Sequence, residues 1–205
     1  MWLNPIYGSP NDDNGDELGM TNISFETIEE YKDIAAINGY KKVLNSNGNI
    51  DAYMENLKFA SRDNGRTPMQ WNTTNHAGFT TGTSWLPAND NFTEINVESE
   101  ENNINSVLSH FKKMTFLRKE NPVLTYGLYT LIQPEHQEIY AYTREMEDSK
   151  MPVLLNFSEK DAGIALKDMG ELSDKDILIN NYDGIAIEDK VVLLRPCQGV
   201  IISLY

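Results

Sequence analysis

The sequence has a single cysteine, Cys197, among its 205 residues. One thiol excludes an internal disulfide and argues strongly against a cysteine-based metal site. No apolar run approaches the roughly 18–20 residues that a membrane-spanning helix requires, so we expect no membrane partner. Residues 1–5 carry neither a basic stretch nor an apolar core, which argues against a signal peptide. We therefore expect a cytoplasmic protein.

Basic residues are also scarce. There are 17 Lys and Arg against 31 Asp and Glu, which gives a net charge of −14. Binding to nucleic acid requires clustered Lys and Arg, so we expect no nucleic-acid partner. The apolar share of 40% and the charged share of 23% are those of a folded protein, and the length allows one or two domains.

Three segments in the first part of the chain show the apolar spacing of a helix. They cover residues 26–38, 50–60 and 106–119. Gly39 is expected to end the first helix, and Pro122 is expected to stop the third. The intervening segments are rich in Asn, Asp, Gly and Thr, which is typical of long loops.

From residue 127 onward the sequence changes to short β-rich runs between turn residues. The candidate strands are 128–133, 139–144, 152–157, 177–180, 190–194 and 199–205. This spacing predicts an antiparallel, β-sandwich-like domain that the last strand closes and the third helix covers. The predicted fold class is therefore α+β.

Residues 11–17 contain carboxylates and amides spaced like the opening of a calcium loop. However, Glu17 stands where such a loop needs its turn glycine, and Ile23 stands where it needs the closing Glu. The sequence also lacks a phosphate loop, a dinucleotide fingerprint and histidines at ligand spacing. We expect no metal and no cofactor.

Arg62 and Arg66 are the residues that could bind a ligand. They lie in a polar loop together with Asp63, Asn64 and the aromatic Trp71. The fixed fork of donors on arginine recognises carboxylates and sugar hydroxyls. Arginines in polar loops are usually just solvated, so the residues alone leave both interpretations open.

Four strings in the sequence resemble bacterial α-glucosidases of glycoside hydrolase family 13, in the branch with oligo-1,6-glucosidase and dextran glucosidase. Residues 2–15 resemble the second barrel strand and its loop, and residues 16–22 resemble the end of the eighth strand. Residues 61–71, Ser-Arg-Asp-Asn-Gly-Arg-Thr-Pro-Met-Gln-Trp, resemble the long loop that follows, and residues 117–122 resemble the end of the last barrel helix.

The resemblance also implies a deletion. In the family, the pieces that end at Gly15 and begin at Asp16 are separated by most of a (β/α)₈ barrel, which takes about 250 residues. Here the two pieces are adjacent. We therefore interpret residues 1–126 as a remnant of the barrel, with one early strand, the last strand, a long loop and the terminal helices. Residues 127–205 are interpreted as the β domain.

This resemblance implies a hydrolase of α-1,6 bonds in isomalto-oligosaccharides. Such retaining enzymes need a nucleophile and an acid/base, but the segments that carry them have no counterpart here: the sequence has no Asn-His-Asp and no Arg-x-Asp string. We therefore assign no catalytic residue and expect an inert chain. By resemblance, Asp13 and Arg62 form an ion pair that holds the terminal glucose, and Arg66 lies near the next subsite. The sugar-stacking Tyr of the family is replaced by Asp16.

Two other interpretations remain open at this point. The β domain could be a non-enzymatic module, with the residues before it acting as a tail. Alternatively, the chain could complete its fold by self-association through unpaired strand edges, since the strand at residues 2–7 has no evident partner. In each case, binding of an α-gluco-oligosaccharide is expected to be weak or lost.

Overall fold

A computed structural model of the chain describes residues 15–166 and 174–204. These residues form two compact units, one within 15–111 and the other within 112–204. The boundary predicted after residue 126 stays a prediction. The strand expected at residues 2–7 lies outside the described residues.

The described part of the first unit consists of helices joined by long loops. The helices are α1 Ile34–Asn45, α2 Ile50–Ala60, α3 Val97–Glu101 and the start of α4 Val107–Glu120. Short 3₁₀ turns cover Asp16–Leu18, Ile28–Glu30, Asn64–Arg66, Asn75–Gly78 and Asp90–Thr93. The core contains Ile23, Phe25, Tyr31, Ala36, Leu57 and Leu86. Burial of this cluster holds α1 and α2 against the preceding loop.

The first helix begins later than the sequence pattern predicts. Its expected range was 26–38, whereas α1 starts at Ile34. Phe25 and Tyr31 are buried and pack edge to face, with ring centroids 5.0 Å apart. Asp33 then caps the helix, because its Oδ1 accepts a hydrogen bond from the amide of Ala35 at 3.0 Å. Core packing of the two rings therefore overrides the helical periodicity of the segment.

The sequence predicts that Gly39 ends the first helix, but in the structure Gly39 lies inside α1. A Cβ atom at Gly39 would collide with the hydroxyl of Tyr53 on α2. That hydroxyl donates to the carbonyl oxygen of Ala36 at 3.0 Å. The glycine is required here because the two helices approach closely, and its usual role as a helix stop does not apply.

The other two helix predictions are confirmed. Helix α2 has the predicted bounds, and α4 is shifted by one residue from the predicted 106–119. Helix α4 ends at Glu120, and Pro122 then opens the short helix α5 Pro122–Tyr126. Proline is tolerated there because the N–H groups in the first turn of a helix have no partner within the helix, so the N–H that proline lacks is not needed.

The second unit contains two antiparallel sheets in the part that the structure describes. Its strands are β1 Leu128–Ile132, β2 Ile139–Met146, β3 Ser149–Asn156, β4 Ala162–Ala165, β5 Ile177–Asn180, β6 Ala186–Glu188, β7 Val191–Leu194 and β8 Gly199–Ile202. One sheet has the order β1-β2-β3-β8-β5 and the other has the order β4-β7-β6. The predicted combination of helices with an antiparallel C-terminal β domain is confirmed.

Two apolar clusters cover the two faces of the larger sheet. One cluster combines residues of both sheets, including Leu154, Ile164, Val192 and Ile202. The other lies on the opposite face, where Met114 of α4 and residues of α5 pack against the sheet. The predicted packing of α4 on the β domain is therefore confirmed for its C-terminal half.

The strand predictions missed β4 and β6. Both strands are short and contain Ala or Gly, so they lack the β-branched alternation that identifies a strand. The last strand also ends earlier than predicted, at Ile202, and lies between β3 and β5 in the sheet. None of the helices in the described ranges is long and apolar enough to cross a membrane.

Replacement of a buried core side chain should destabilise the second unit. Leu154 is completely buried between the two sheets, so we expect Leu154→Ala to lower the free energy of unfolding by about 2–5 kcal/mol. The matched control is Leu128→Ala, because Leu128 is 69% exposed; its effect should stay within about 0.5 kcal/mol. Denaturant unfolding measures both. Equal losses in the two variants would contradict the described core.

Glu100 should make stability depend on pH. Burial raises the pKa of Glu100, and a hydrogen bond from the amide of Leu108 to its carboxylate opposes this shift. The folded state therefore retains the proton at a pH at which the unfolded state has released it. As the pH falls through that interval, the wild-type chain should gain stability relative to Glu100→Gln. Unfolding curves at a series of pH values test this. A constant difference between the two proteins at all pH values would contradict it.

Candidate functional site

The loop that follows α2 is anchored by a buried carboxylate. Asp63 is completely buried, and its Oδ2 accepts hydrogen bonds from the amides of Lys32 at 2.7 Å and Asp33 at 2.8 Å. The amide of Asp63 donates to the hydroxyl of Ser61 at 3.2 Å. A carboxylate that accepts two backbone N–H bonds is strongly held. These bonds attach the loop to the residues that start α1.

Two arginines extend outward from this anchor. The Nε of Arg62 lies 3.9 Å from Oδ2 of Asp33, and Nη1 of Arg66 lies 3.9 Å from Oδ1 of Asp63. The arginine side chains are 67% and 42% exposed, whereas the side chains of their acidic partners are 8% and 0% exposed. Each acid therefore lies under the loop surface, and each guanidinium group is presented to solvent with most of its donors available.

The loop continues into a tight turn around Ala77. The amide of Trp71 donates to the carbonyl oxygen of Ala77 at 2.8 Å. His76 and Ala77 both have φ of 55°, which is uncommon for residues with a side chain. Gln70 is buried, and its side-chain amide donates to the carbonyl oxygen of Ile95. The indole of Trp71 remains 48% exposed at this turn.

Tyr31 lies in the core near the anchor. Its hydroxyl is buried without a hydrogen-bond partner in the structure. Burial raises the pKa of Tyr31, and the negative charges of Glu30 and Asp63 raise it further. The phenol therefore stays neutral and belongs to the packed base of the loop. Within the described ranges, we find no group of His, Cys, Asp and Glu that could hold a metal ion.

The structure places Arg62 and Arg66 on one loop, as expected from their spacing. Asp13, the predicted partner of Arg62, lies outside the described residues, so their ion pair stays a prediction. Asp33 and Asp63 lie beneath the two arginines, and neither was predicted as their partner. One signal was available for Asp33, because an acid directly before an apolar periodic run is a typical helix cap.

Comparison with known proteins gives two matches to protein families. Residues 1–127 match the family described as "Alpha amylase, catalytic domain". Residues 139–201 match the family described as "Alpha-amylase SusG C-terminal domain". The two matched segments lie in the helical and loop-rich part and in the β-rich part of the chain, respectively.

Curated relatives match nearly the whole chain. The chain is 40% identical over 200 residues to oligo-1,6-glucosidase of Parageobacillus thermoglucosidasius, covering 97% of this chain and 36% of that protein. It is 37% identical over 195 residues to probable oligo-1,6-glucosidase 2 of Bacillus subtilis, covering 95% of this chain and 35% of the relative. The chain thus spans about a third of the length of these relatives.

Solved structures share the fold. A crystal structure of trehalose-6-phosphate hydrolase from Bacillus licheniformis is 38% identical, with a TM-score of 0.82, over 93% of this chain and 35% of that one. A trehalulose synthase structure is 34% identical, with a TM-score of 0.86, over 93% of this chain and 34% of that one. The described backbone is therefore similar to part of these larger enzymes.

Removal of the charge on Asp63 should loosen the loop. We expect Asp63→Asn to lower the free energy of unfolding by about 1.5–3 kcal/mol, since two hydrogen bonds to a charged acceptor are weakened. Amide exchange of Lys32 and Asp33 should also accelerate. The exposed Asp90 provides the control, and Asp90→Asn should change stability by less than about 0.5 kcal/mol. Unchanged exchange at Lys32 and Asp33 in Asp63→Asn would contradict the anchoring role.

Proposed function

Because this chain belongs to glycoside hydrolase family 13, the family of the α-amylase catalytic domain, we propose that it binds a sugar at most weakly and does not cleave it. The proposed sugar is a gluco-oligosaccharide, the class of substrate that the name oligo-1,6-glucosidase gives for the relatives. The chain combines the loop of residues 61–71, the arginine loop, with the β-rich unit. We infer that it lacks the nucleophile and the acid/base of the family. We infer that it arose from an α-1,6-glucosidase by loss of most of the barrel.

One observation carries the proposal: the guanidinium groups of Arg62 and Arg66 are exposed while the acids at their bases are buried. A guanidinium group is planar and has donors in a fixed fork, which suits neighbouring hydroxyls on a pyranose ring. Because Asp33 and Asp63 restrain these arginines from below, less side-chain entropy is lost when a ligand binds.

The roles of the individual residues follow the family resemblance. In this proposal, Asp13 and Arg62 hold the glucose at the non-reducing end, and Arg66 lies beside the next sugar unit. Trp71 follows on the same loop with an indole that is about half exposed. Such an aromatic surface suits the apolar C–H face of a sugar.

The proposed lack of hydrolysis follows from the carboxylates. Retaining glycosidases use two carboxyl groups about 5–5.5 Å apart, one as nucleophile and one as acid/base. Among the described residues, the buried acids are Asp33 and Asp63, and both already accept hydrogen bonds from backbone amides at the start of α1. In this proposal both acids hold the backbone at the start of α1, and neither attacks an anomeric carbon. Binding a sugar without stabilising the transition state does not accelerate its cleavage.

The junction at Gly15 and Asp16 supports the proposed origin. By the resemblance described above, two strings that lie far apart in the family meet at this point of the sequence. The family segments with the nucleophile and the acid/base would lie between them, and the Asn-His-Asp string of the family is absent from the whole sequence. Loss of this stretch removes catalysis and keeps the loop at residues 61–71.

The purified chain should not turn over isomaltose or p-nitrophenyl α-glucoside. The expected rate is that of the uncatalysed reaction, because the family segments that carry the acid/base and the nucleophile have no counterpart in the sequence. Glucose or nitrophenol release over a long incubation measures the rate. Asp13→Ala is the matched control, because this substitution should leave the absence of turnover unchanged.

Binding is measured separately from turnover. Isomaltose should give a weak, saturable change in the fluorescence of the three tryptophans, which include Trp71. Arg62→Ala should abolish this change, and its absence in the wild-type chain would overturn the proposed sugar binding. Clear turnover that is lost in Asp13→Ala would overturn the proposal, since another carboxylate would then have taken the catalytic role. A binding response that persists in Arg62→Ala would show that the arginine loop is not the sugar-holding element.

A further inference from the structure

A cavity of about 200 Å³ lies at one end of the larger sheet in the unit over 112–204. It is formed by the end of β1, the loop to β2, the start of β2 and the residue after β3. The side chains that matter for its chemistry are those of Leu131, Gln133, Gln137, Glu138, Tyr140 and Phe157. This volume is below the roughly 300–1,000 Å³ of pockets for drug-sized ligands. The cavity therefore suits a single ring of a longer molecule.

Two aromatic rings line the cavity and remain accessible. Tyr140 is 42% exposed and Phe157 is 60% exposed. Tyr140 pairs with Leu155 across β2 and β3, and the amide of Phe157 continues this ladder to the carbonyl oxygen of Glu138. Paired residues and alternate residues share one face of a sheet, so Tyr140 and Phe157 lie on the same face. The Tyr140 hydroxyl is 2.7 Å from the Tyr129 hydroxyl, which restrains its ring.

The loop between β1 and β2 is held rigidly. Nδ1 of His136 accepts hydrogen bonds from the amides of Glu138 and Ile139. The proton of the neutral ring therefore lies on Nε2, which donates to the carbonyl oxygen of Gly163 at 3.1 Å. Both nitrogens of this ring are therefore in use. Gln133 has φ of 45°, and its side-chain amide donates to the carbonyl oxygen of Ala165. Such backbone conformations persist where the surroundings over-determine them, and they cluster at ligand sites.

The polar groups of the cavity exclude several ligand classes. The lining contains neither lysine nor arginine, and Glu138 contributes a carboxylate that is 45% exposed. Phosphates, nucleotides and carboxylates would meet a like charge without a compensating cation. A divalent metal would find only this carboxylate, because His136 is engaged through both ring nitrogens. The Nε2 groups of Gln133 and Gln137 donate to the carbonyl oxygens of Ala165 and Glu135. Their side-chain oxygens remain as acceptors for a neutral, hydroxyl-rich ligand.

We propose that this cavity is a second carbohydrate-binding site, which takes one pyranose ring of a neutral gluco-oligosaccharide. The apolar C–H face of the sugar stacks on Tyr140 and Phe157. The hydroxyls at its edge bond to the side chains of Gln133, Gln137 and Glu138. The site lies on the β-rich unit and does not use Arg62, so it extends the proposed function to a second surface of the chain.

Amide-resolved NMR of the full chain, titrated with isomaltotriose, tests the site. Saturable shifts are expected at the amides of residues 133, 135–140 and 157. Tyr140→Ala and Phe157→Ala should each weaken binding at these amides by roughly threefold to tenfold, while Tyr140→Phe, which keeps the ring, should retain it. The matched control is Tyr126→Ala, because Tyr126 is 80% exposed and does not line the cavity; it should leave the affinity unchanged. Thermal melting verifies the fold of each variant.

The same titration separates this site from the arginine loop. Arg62→Ala should remove shifts at residues 61–71 and leave those at 133–140, and the reverse pattern is expected for Tyr140→Ala. The absence of saturable shifts at 133–140 would overturn the proposal, whatever happens at the loop. Equal shifts with the open-chain polyol sorbitol, or an unchanged affinity in both alanine variants, would overturn it as well, because stacking of a ring would then play no part.

Discussion

The buried carboxylate of Asp63 is the interaction on which the arginine loop depends. Its Oδ2 accepts the hydrogen bonds of two backbone amides that precede α1 and that would otherwise be made to water. Asp63 lies about thirty positions further along the chain than these amides. A charged acceptor without these donors would be costly to bury, and the amides without the acceptor would be costly as well. This mutual requirement determines where the loop begins and where α1 can start.

The same interaction explains why part of the fold could be predicted from the sequence and part could not. Helices α2 and α4 follow their apolar periodicity, because each lays one face on a core and nothing competes with it. The segment before α1 has the same periodicity. There, however, the chain forms only a 3₁₀ turn at Ile28–Glu30, and the backbone is extended at Tyr31 and Asp33. The burial of Tyr31 and the bonds to Asp63 hold it in that form. Long-range contacts of this kind leave no local pattern.

The candidate site shows a similar division. Arg62 and Arg66 can be found from their string, because the residue types and spacing of the loop are specific. Their acidic partners could not be identified in the same way, since the sequence has 31 acids and does not reveal which of them become buried. In the β-rich unit, too, only some of the strands could be predicted from the sequence. Strands with Val, Ile and Tyr were predicted, whereas β4 and β6 are too short and too poor in β-branched residues to be recognised.

The position of β8 has a consequence for the order of folding. In the larger sheet, β8 is inserted between β3 and β5, and β5 pairs with β8 in this sheet. During synthesis, β5 leaves the ribosome before its partner exists, so it must wait with an unpaired edge. The β1-β2-β3 meander can form from neighbours in sequence, but completion of the sheet requires closure of a loop from β3 to β8. Such non-local pairing is slow, and the interval exposes apolar strands to aggregation.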